Sequence, residues 1–181
     1  LYVKYGNRIF YTNIKQKLKN LFGIIHQKYS ASELEKLLNE YLGLTKMSQL
    51  LNDCIITSYD IVKRSSMFFS RIDAVQGDKR DYFVKNIVRS TSAAPTYFTP
   101  AKIISIGGEK HYLIDGGVFA NNPAMCAYAE ARTLNFPKKI DKPTTKDMII
   151  ISIGCGSVKK PYSYKKAKKW GAIGWILPLI D

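Results

Sequence analysis

The stretch Leu113-Ile114-Asp115-Gly116-Gly117 decides how this chain folds, because it places one acidic side chain between apolar residues and two glycines. Residues 112–114 predict a short strand, and Asn121-Asn122-Pro123 indicates the start of a helix, since Pro is favoured in a first helical turn. An Asp-Gly pair is also the commonest hairpin signal. Residues 118–123 do not alternate as a returning strand would, so the pattern favours a strand-to-helix corner that displays Asp115.

Hydrophobic patterns predict the other elements of the chain. Ser30 and Ser32 each precede a glutamate by three residues, as in capping boxes, ahead of leucines at helical spacing that end at Gly43. Further patterns predict strands at residues 54–61, 66–72, 103–106, 111–114 and 148–153, and helices at 81–89 and 123–133. The run at 148–153 is continuously apolar, which is typical of a buried parallel strand. This order predicts an α/β fold with a mixed, largely parallel sheet and flanking helices.

The length and the ends of the chain indicate a single domain within a longer protein. A chain of 181 residues suits one domain with its own core. It begins with Leu1 and ends on the apolar residues 171–180, so we expect both termini to have been cut from a longer sequence. The apolar run is shorter than the ~20 residues of a membrane-spanning helix. We therefore predict no transmembrane segment.

The chain is strongly basic, with 28 Lys and Arg against 14 Asp and Glu and a formal net charge of +14. The lysines concentrate in two loop-like stretches, residues 138–146 and 159–169, which are typical of solvated connections. A positive surplus of this size also attracts anionic membrane surfaces, and we keep that partner as an alternative. Nucleic acid is not expected as a partner, because no zinc-finger, recognition-helix or RNP pattern accompanies the lysines.

The sequence contains no pattern for a metal, a cofactor or a disulfide. Its histidines are His26 and His111, no HExxH occurs, and the three cysteines have no paired spacing. His111 precedes Asp115 by four residues, roughly 13 Å along an extended strand, so we interpret His111 as a structural strand residue. Unpaired cysteines favour a reducing compartment, which leaves the cytoplasm or the membrane periphery as the expected location.

Two blocks of sequence resemble the patatin-like phospholipase family. The first is Ser90-Thr91-Ser92-Ala93-Ala94-Pro95-Thr96-Tyr97-Phe98, and the second is Leu113-Ile114-Asp115-Gly116-Gly117-Val118-Phe119-Ala120-Asn121-Asn122-Pro123. They stand in the family's order with a predicted hairpin between them. Residues 55–61 and 149–156 are similar to two further strands of the family. The resemblance implies that residues 1–181 are the C-terminal two-thirds of one patatin-like acyl hydrolase domain, which is incomplete here.

The resemblance also implies a function, lipid acyl hydrolysis by a Ser-Asp dyad with no histidine, metal or cofactor in the catalytic step. Asp115 is then the catalytic aspartate. The family's Gly-x-Ser-x-Gly elbow does not occur in these 181 residues, so the serine is expected before Leu1 and the chain alone is expected to be inactive. The implied substrate is a phospholipid or another lipid ester. The alternative is a non-catalytic lipid-binding or partner-binding module with the same frame.

Residues beside Asp115 also receive expected roles. Gly116 and Gly117 are expected to leave room for the serine and the substrate. Tyr97, Phe98, Phe119 and the segment 170–179 are either core residues or part of an acyl pocket. Because an incomplete sheet exposes strand edges and apolar faces, the chain is also expected to associate with itself.

Overall fold

The computed structural model describes residues 1–12, 27–133, 135–136, 140–141, 143–154, 156, 161–171 and 174. The chain divides into two units, Leu1–Ile150 and Ile151–Asp181, and each is described by itself. Several residues of the features described above lie outside the described residues. They are His26, Cys155, the lysines 138, 139, 142, 159 and 160 of the two lysine-rich stretches, and residues 172–173 and 175–179 of the apolar C-terminal segment.

Helices and strands are interspersed along the first unit. The described helices are α1 (Tyr2–Ile9), α2 (Ser32–Leu42), α3 (Arg71–Ala74), α4 (Val84–Thr91), α5 (Gly117–Ala120) and α6 (Ala124–Thr133), with short 3-10 helices at Met47–Gln49 and Thr145–Asp147. The described strands are β1 (Ile55–Asp60), β2 (Ser65–Ser70), β3 (Ala101–Ile104), β4 (Lys110–Asp115), β5 (Asn135–Phe136) and β6 (Ile140–Asp141). The second unit contains α7 (Tyr164–Ala167). No helix in these ranges has the length and apolar character needed to cross a membrane.

The four longer strands form one sheet in the order β2-β1-β4-β3, and every neighbouring pair is antiparallel. The predicted α/β fold with flanking helices is confirmed, but the expectation of a largely parallel sheet is wrong for the described strands. The connections explain the direction of two of the three pairs, since residues 61–64 join β1 to β2 and residues 105–109 join β3 to β4. Parallel neighbours need crossovers of a dozen or more residues, and these turns are too short.

The predicted buried strand at residues 148–153 is not formed. Ile149 is 93% exposed and Ile153 is 90% exposed. Continuous apolar composition favours a buried strand, but a strand also needs neighbours that pair with its backbone. None of the described strands pairs with this segment. The prediction is wrong here because apolar composition shows only that a segment tends to form a strand. It does not show that a neighbouring strand is present to pair with it.

The first predicted helix is confirmed as α2, including its end at a glycine with φ +51°. Its predicted capping boxes are not formed, because Ala31 is the N-cap and no side chain caps the first turn. The two glutamates instead form ion pairs with other helices. Glu33 pairs with Arg8 of α1 at 2.8 Å, and Glu35 pairs with Arg89 of α4 at 2.9 Å. Tertiary partners therefore replace local capping.

The helix α4 lies between two hydrophobic cores. Ile87 belongs to the core on the sheet, and Val88 packs against the core of α1 and α2. The sheet core contains Met47, Phe69, Ala74, Tyr82, Ile87, Ala93, Ala101, Ile103 and Leu113. The helical core contains Ile9, Leu34, Leu37, Leu38 and Phe98. Because α4 is held on both sides, the segment that follows it has a defined position.

The remaining predicted elements agree with the structure to within a few residues. The strands at 54–61 and 66–72 are observed as β1 and β2, the hairpin as β3 and β4, and the helix at 123–133 as α6. The helix predicted at 81–89 begins later, at Val84, because Asp81 has another role. Its carboxylate accepts hydrogen bonds from the Ser48 N–H at 3.1 Å and the Ser48 hydroxyl at 2.6 Å.

Candidate active site at Asp115

Backbone contacts on two sides hold Asp115 at the end of β4. Asp115 lies opposite Ser58 of β1 in the antiparallel register, and the buried Ser58 hydroxyl donates to the Ile114 carbonyl at 2.7 Å. The Asp115 N–H donates to the Ala93 carbonyl at 3.1 Å. The backbone of Asp115 is therefore fixed both by its neighbouring strand and by the segment that leaves α4.

The hydrogen bond to Ala93 joins the two sequence blocks quoted above. Ala93 is fully buried directly after α4, and Pro95 follows the helix as predicted. The N–H groups of Tyr97 and Phe98 both donate to the Ala94 carbonyl, at 3.1 and 3.0 Å, and close a compact turn. The sequence predicted the order of the two blocks, and the structure brings them into contact.

The Asp115 carboxylate is half-buried and forms no ion pair with the described residues. Its Oδ1 accepts a hydrogen bond from the Gly117 N–H at 2.7 Å. Burial raises the pKa of Asp115 above its ordinary value, and the Gly117 N–H partly opposes this rise. A carboxylate with raised proton affinity accepts a hydroxyl proton better than an exposed aspartate does. This environment is therefore suited to general-base chemistry.

Gly116 is required by the neighbouring strand. A Cβ at this position would overlap the hydroxyl and the backbone carbonyl of Thr57 in β1. Gly116 has ordinary helical backbone angles, φ −66° and ψ −22°, which any residue could adopt. Glycine is therefore required here because it has no side chain, not because of its conformational freedom. The expectation that Gly116 makes room for serine and substrate is wrong, because Thr57 occupies that side.

Gly117, in contrast, borders the carboxylate. A Cβ at Gly117 would lie 3.1 Å from Asp115 Oδ1 and 3.2 Å from Asn121 Oδ1. Both contacts would be closer than most Cβ atoms tolerate, although both involve side-chain atoms that are able to shift. A side chain at position 117 would therefore crowd the carboxylate, and glycine avoids this.

The aromatic residues expected either in the core or in an acyl pocket make structural contacts. Phe98 is 5% exposed within the helical core, and Tyr97 packs at the edge of that core. Phe119 packs α5 onto the sheet through Tyr59 and Phe68, with ring centroids 6.3 and 5.7 Å apart. Phe98 is thus a core residue, whereas Phe119 anchors α5 and remains 39% exposed.

His111 is a strand residue, as predicted, and its partner is Asp60 rather than Asp115. Its Nδ1 lies 3.0 Å from Asp60 Oδ2, and neither side chain is more than 5% exposed. Asp60 Oδ1 also accepts hydrogen bonds from the Val62 and Lys63 N–H groups, both at 2.9 Å. Sequence reasoning missed this buried pair. The available signal was the position of Asp60 at the end of an alternating strand.

Other features of the first unit do not extend the site. A groove of about 500 Å³ between α1 and α2 is lined mainly by leucines and tyrosines, and Asp115 does not border it. Among the described residues, no group of three or more His, Cys, Asp or Glu is placed to hold a metal ion. The chemistry that this part of the chain offers at Asp115 is proton transfer by one carboxylate.

Comparison with known proteins assigns the family. Residues 5–128 match the family model described as Patatin-like phospholipase. This range covers most of the chain and includes β1 to β4, α4 and Asp115. The chain therefore belongs to the patatin-like phospholipase family.

Individual relatives agree with this assignment. Patatin-like protein 1 of Arabidopsis thaliana is 40% identical over 171 residues, which are 85% of this chain and 41% of the relative. Patatin-like protein 3 of the same plant is 36% identical over 173 residues, 85% of this chain and 40% of the relative. The protein named "Probable inactive patatin-3-Kuras 1" of Solanum tuberosum is 30% identical over 180 residues, 88% of this chain and 46% of the relative. The chain thus spans less than half the length of these relatives.

Proposed function

We propose that the complete protein is a lipid acyl hydrolase of the phospholipase type and that Asp115 is the general base of its Ser-Asp dyad. The observation that carries the proposal is the environment of the Asp115 carboxylate. It is half-buried, it forms no ion pair with the described residues, and it is bordered by Gly117, which places no side chain against it. Membership of a phospholipase family supports a phospholipid or another lipid ester as the substrate.

In this proposal residues 1–181 are the C-terminal two-thirds of one patatin-like domain, and the serine belongs to the rest of the protein. Two observations support this division. The chain spans 40% and 46% of the lengths of two relatives, and no Gly-x-Ser-x-Gly occurs in its sequence. An elbow of that type exposes its serine hydroxyl at a strand-to-helix turn. The serine would then approach the exposed part of the half-buried Asp115 carboxylate, where Gly117 places no side chain.

The proposed reaction has two halves, acylation of the serine and its deacylation. In each half Asp115 accepts one proton and then gives it back. The serine gives its hydroxyl proton to Asp115 while its oxygen bonds to the ester carbonyl carbon, and Asp115 gives that proton to the alcohol oxygen whose bond to this carbon breaks. Water then gives a proton to Asp115 and bonds to the acyl carbon. The serine oxygen leaves with that proton, which releases the fatty acid. A raised pKa suits both halves, because the carboxylate must accept the proton before it returns it.

Replacement of Asp115 in the complete protein tests the proposal directly. Asp115→Asn should lower kcat/KM for a chromogenic fatty-acyl ester by about 1000-fold, because an amide does not accept the proton. Asp78→Asn makes the same chemical change in an exposed loop and should keep full activity. Retained hydrolysis in Asp115→Asn would remove Asp115 from the mechanism.

The stability of the same variant separates loss of chemistry from loss of fold. Burial raises the folded-state pKa of Asp115, so folding disfavours its ionised form. The stabilising effect of protonated Asp115 is present at low pH and is lost as the pH rises through the folded pKa. At neutral pH the neutral amide of Asp115→Asn removes this cost. The variant should therefore unfold at the same denaturant concentration as wild type, or at a higher one.

Two further measurements belong to this proposal. The acid limb of kcat/KM should lie at a higher pH than an exposed aspartate would produce, because burial raises the pKa of Asp115.

The purified 181-residue chain should show no turnover, since it contains no Gly-x-Ser-x-Gly. Hydrolysis by that chain alone would contradict a serine supplied from outside it.

A non-catalytic lipid-binding or partner-binding module is the second candidate function. The relative named "Probable inactive patatin-3-Kuras 1", which is 30% identical, favours it. The sequence of the complete protein discriminates between the two candidates. A complete protein that binds lipid but has neither the serine elbow nor esterase activity would be such a module.

A further inference from the structure

The second unit is strongly basic. Residues 151–181 contain six lysines and a single acidic residue, the terminal Asp181. Four of these lysines are described, and all four are exposed: Lys165, Lys166, Lys168 and Lys169. The ion pairs found among the described residues involve none of them. Their charge is therefore available to a partner.

Aromatic residues bracket the four lysines in a defined turn. The Tyr162 and Trp170 rings contact each other edge to face with centroids 5.0 Å apart, which closes the segment 162–170. Between them the Ser163 hydroxyl accepts a hydrogen bond from the Lys166 N–H at 3.4 Å, at the start of α7. We call residues 162–170 the basic-aromatic segment. Its lysines are presented together rather than spread along an open chain.

Exposed tyrosines add a second property to this segment. Tyr162 is 50% exposed and Tyr164 is 77% exposed. Tyrosine and tryptophan favour the interface between water and lipid, because each combines an apolar ring with a polar group. Lysine suits the same boundary, since its aliphatic stem lies against apolar surface while the ammonium group stays in water. The two residue types together match the headgroup layer of a bilayer.

We propose that the basic-aromatic segment docks this protein on bilayers that contain anionic phospholipids. The four lysines face the negative surface potential of such a membrane, and the tyrosines enter its headgroup layer. The segment contains no arginine, the residue that supplies planar bidentate contacts to phosphates and bases, so its charge suits a membrane surface better than a nucleic acid. The proposal goes beyond hydrolysis at Asp115, because docking requires no turnover.

Vesicle flotation with the 181-residue chain tests the proposal. The chain should bind vesicles in which about a third of the phosphatidylcholine is replaced by phosphatidylserine, and should not bind vesicles of phosphatidylcholine alone. Binding should weaken as NaCl rises from about 0.05 M to about 0.5 M, because salt screens the attraction. Binding that ignores lipid charge and salt would overturn the proposal.

Two matched variants distinguish a docking segment from net charge. Replacing Lys165, Lys166, Lys168 and Lys169 together with Gln should weaken binding by about 600-fold, at roughly fivefold for each of the four lysines near the surface. The control variant replaces four exposed lysines of the first unit with Gln and removes the same charge: Lys36, Lys63, Lys102 and Lys110. It should retain most of the binding. Equal losses of binding in the two variants would show that only net charge matters and would overturn the proposal that this segment docks on the membrane.

Two additional arms close the remaining alternatives. Tyr164→Ser changes no charge and should weaken binding by several-fold if the ring enters the headgroup layer; an unchanged affinity would contradict that role. Tighter binding of the chain to a single-stranded oligonucleotide than to the anionic vesicles, in the same salt, would overturn the membrane as partner. Circular dichroism confirms that each variant is folded. Since these experiments measure binding and not turnover, failure of the docking proposal would leave the proposal for Asp115 intact. Failure of the proposal for Asp115 would likewise leave the docking proposal intact.

Discussion

Two aspartates of this chain have pKa values shifted in opposite directions by their surroundings. Burial raises the pKa of Asp115, and one N–H opposes it only in part. Burial also acts to raise the pKa of Asp60, but the Lys63 N–H, the His111 side chain and the Val62 N–H outweigh it and lower the pKa. The number of donors therefore decides the sign. The surroundings of Asp115 therefore raise its proton affinity, whereas those of Asp60 stabilise the ionised carboxylate.

The two adjacent glycines predict two different mutant phenotypes. Gly116→Ala should lower the free energy of unfolding by about 1–3 kcal/mol, because its Cβ meets the backbone of β1, which is not free to shift. Gly117→Ala should change stability by less than about 1 kcal/mol, since its Cβ meets only side-chain oxygens. Urea unfolding of the 181-residue chain measures both values. Equal destabilisation by the two substitutions would contradict these separate roles.

At the scale of elements, β4 connects the buried Asp60–His111 pair to the candidate site. His111, Leu113 and Asp115 alternate along β4 and share one face of the strand. His111 bonds to Asp60 of β1, Leu113 is fully buried, and Asp115 follows at the strand end. The pairing of β1 with β4, which includes the Asp60–His111 contact, thus helps to position the Asp115 carboxylate four residues further along β4.

The buried pair predicts a specific loss of stability in acid. The pKa of Asp60 is lowered in the folded state, so its contribution is present above the unfolded pKa and is lost as the pH falls through the folded pKa. Asp60→Asn keeps an oxygen for the Val62 and Lys63 N–H groups but lacks this titration. The difference in unfolding free energy between wild type and Asp60→Asn should shrink as the pH falls from about 4 to about 2. Denaturant unfolding across this range measures it.

A matched substitution controls for the other carboxylates of the chain. Asp78→Asn changes an exposed aspartate in a loop. Its difference from wild type should stay small across the same pH range. If the Asp60→Asn difference were equally flat, the pair with His111 would carry no pH-dependent stability.

At the scale of the whole molecule, a run of isoleucines in the described structure exposes apolar surface to water. Ile149, Ile150, Ile151 and Ile153 follow one another in a segment that pairs with none of the described strands. Apolar, β-prone segments without a pairing partner tend to associate with a second copy. The net charge of +14 opposes this association by repulsion between chains.

Self-association of the 181-residue chain should therefore increase with salt. Sedimentation velocity should show larger species at higher protein concentration, and more of them in about 0.5 M than in about 0.05 M NaCl, because salt screens the repulsion. Ile149→Lys combined with Ile151→Lys should reduce association strongly. Ile104→Lys, at an exposed position of β3, is the control and should reduce it less. A chain that stays monomeric at every salt concentration would contradict this prediction.

The sequence by itself determined the local units. The strand-to-helix corner at Asp115, the hairpin of β3 and β4 and the glycine end of α2 follow from short-range signals, because glycine positions and alternating side chains act over a few residues. The quoted blocks likewise sufficed to recognise the family, which the match over residues 5–128 confirms. The role of Asp115 stays a proposal.

Only the tertiary structure decided which partners these units find. The pairing of β1 with β4, the ion pairs that replace the caps of α2, the contact of Gly116 with Thr57 and the pairing of His111 with Asp60 all join residues far apart in sequence. A pattern records which surfaces a residue prefers, but burial and pairing depend on what the rest of the chain places beside it. For that reason the apolar residues 148–153 looked like a buried strand and are instead exposed.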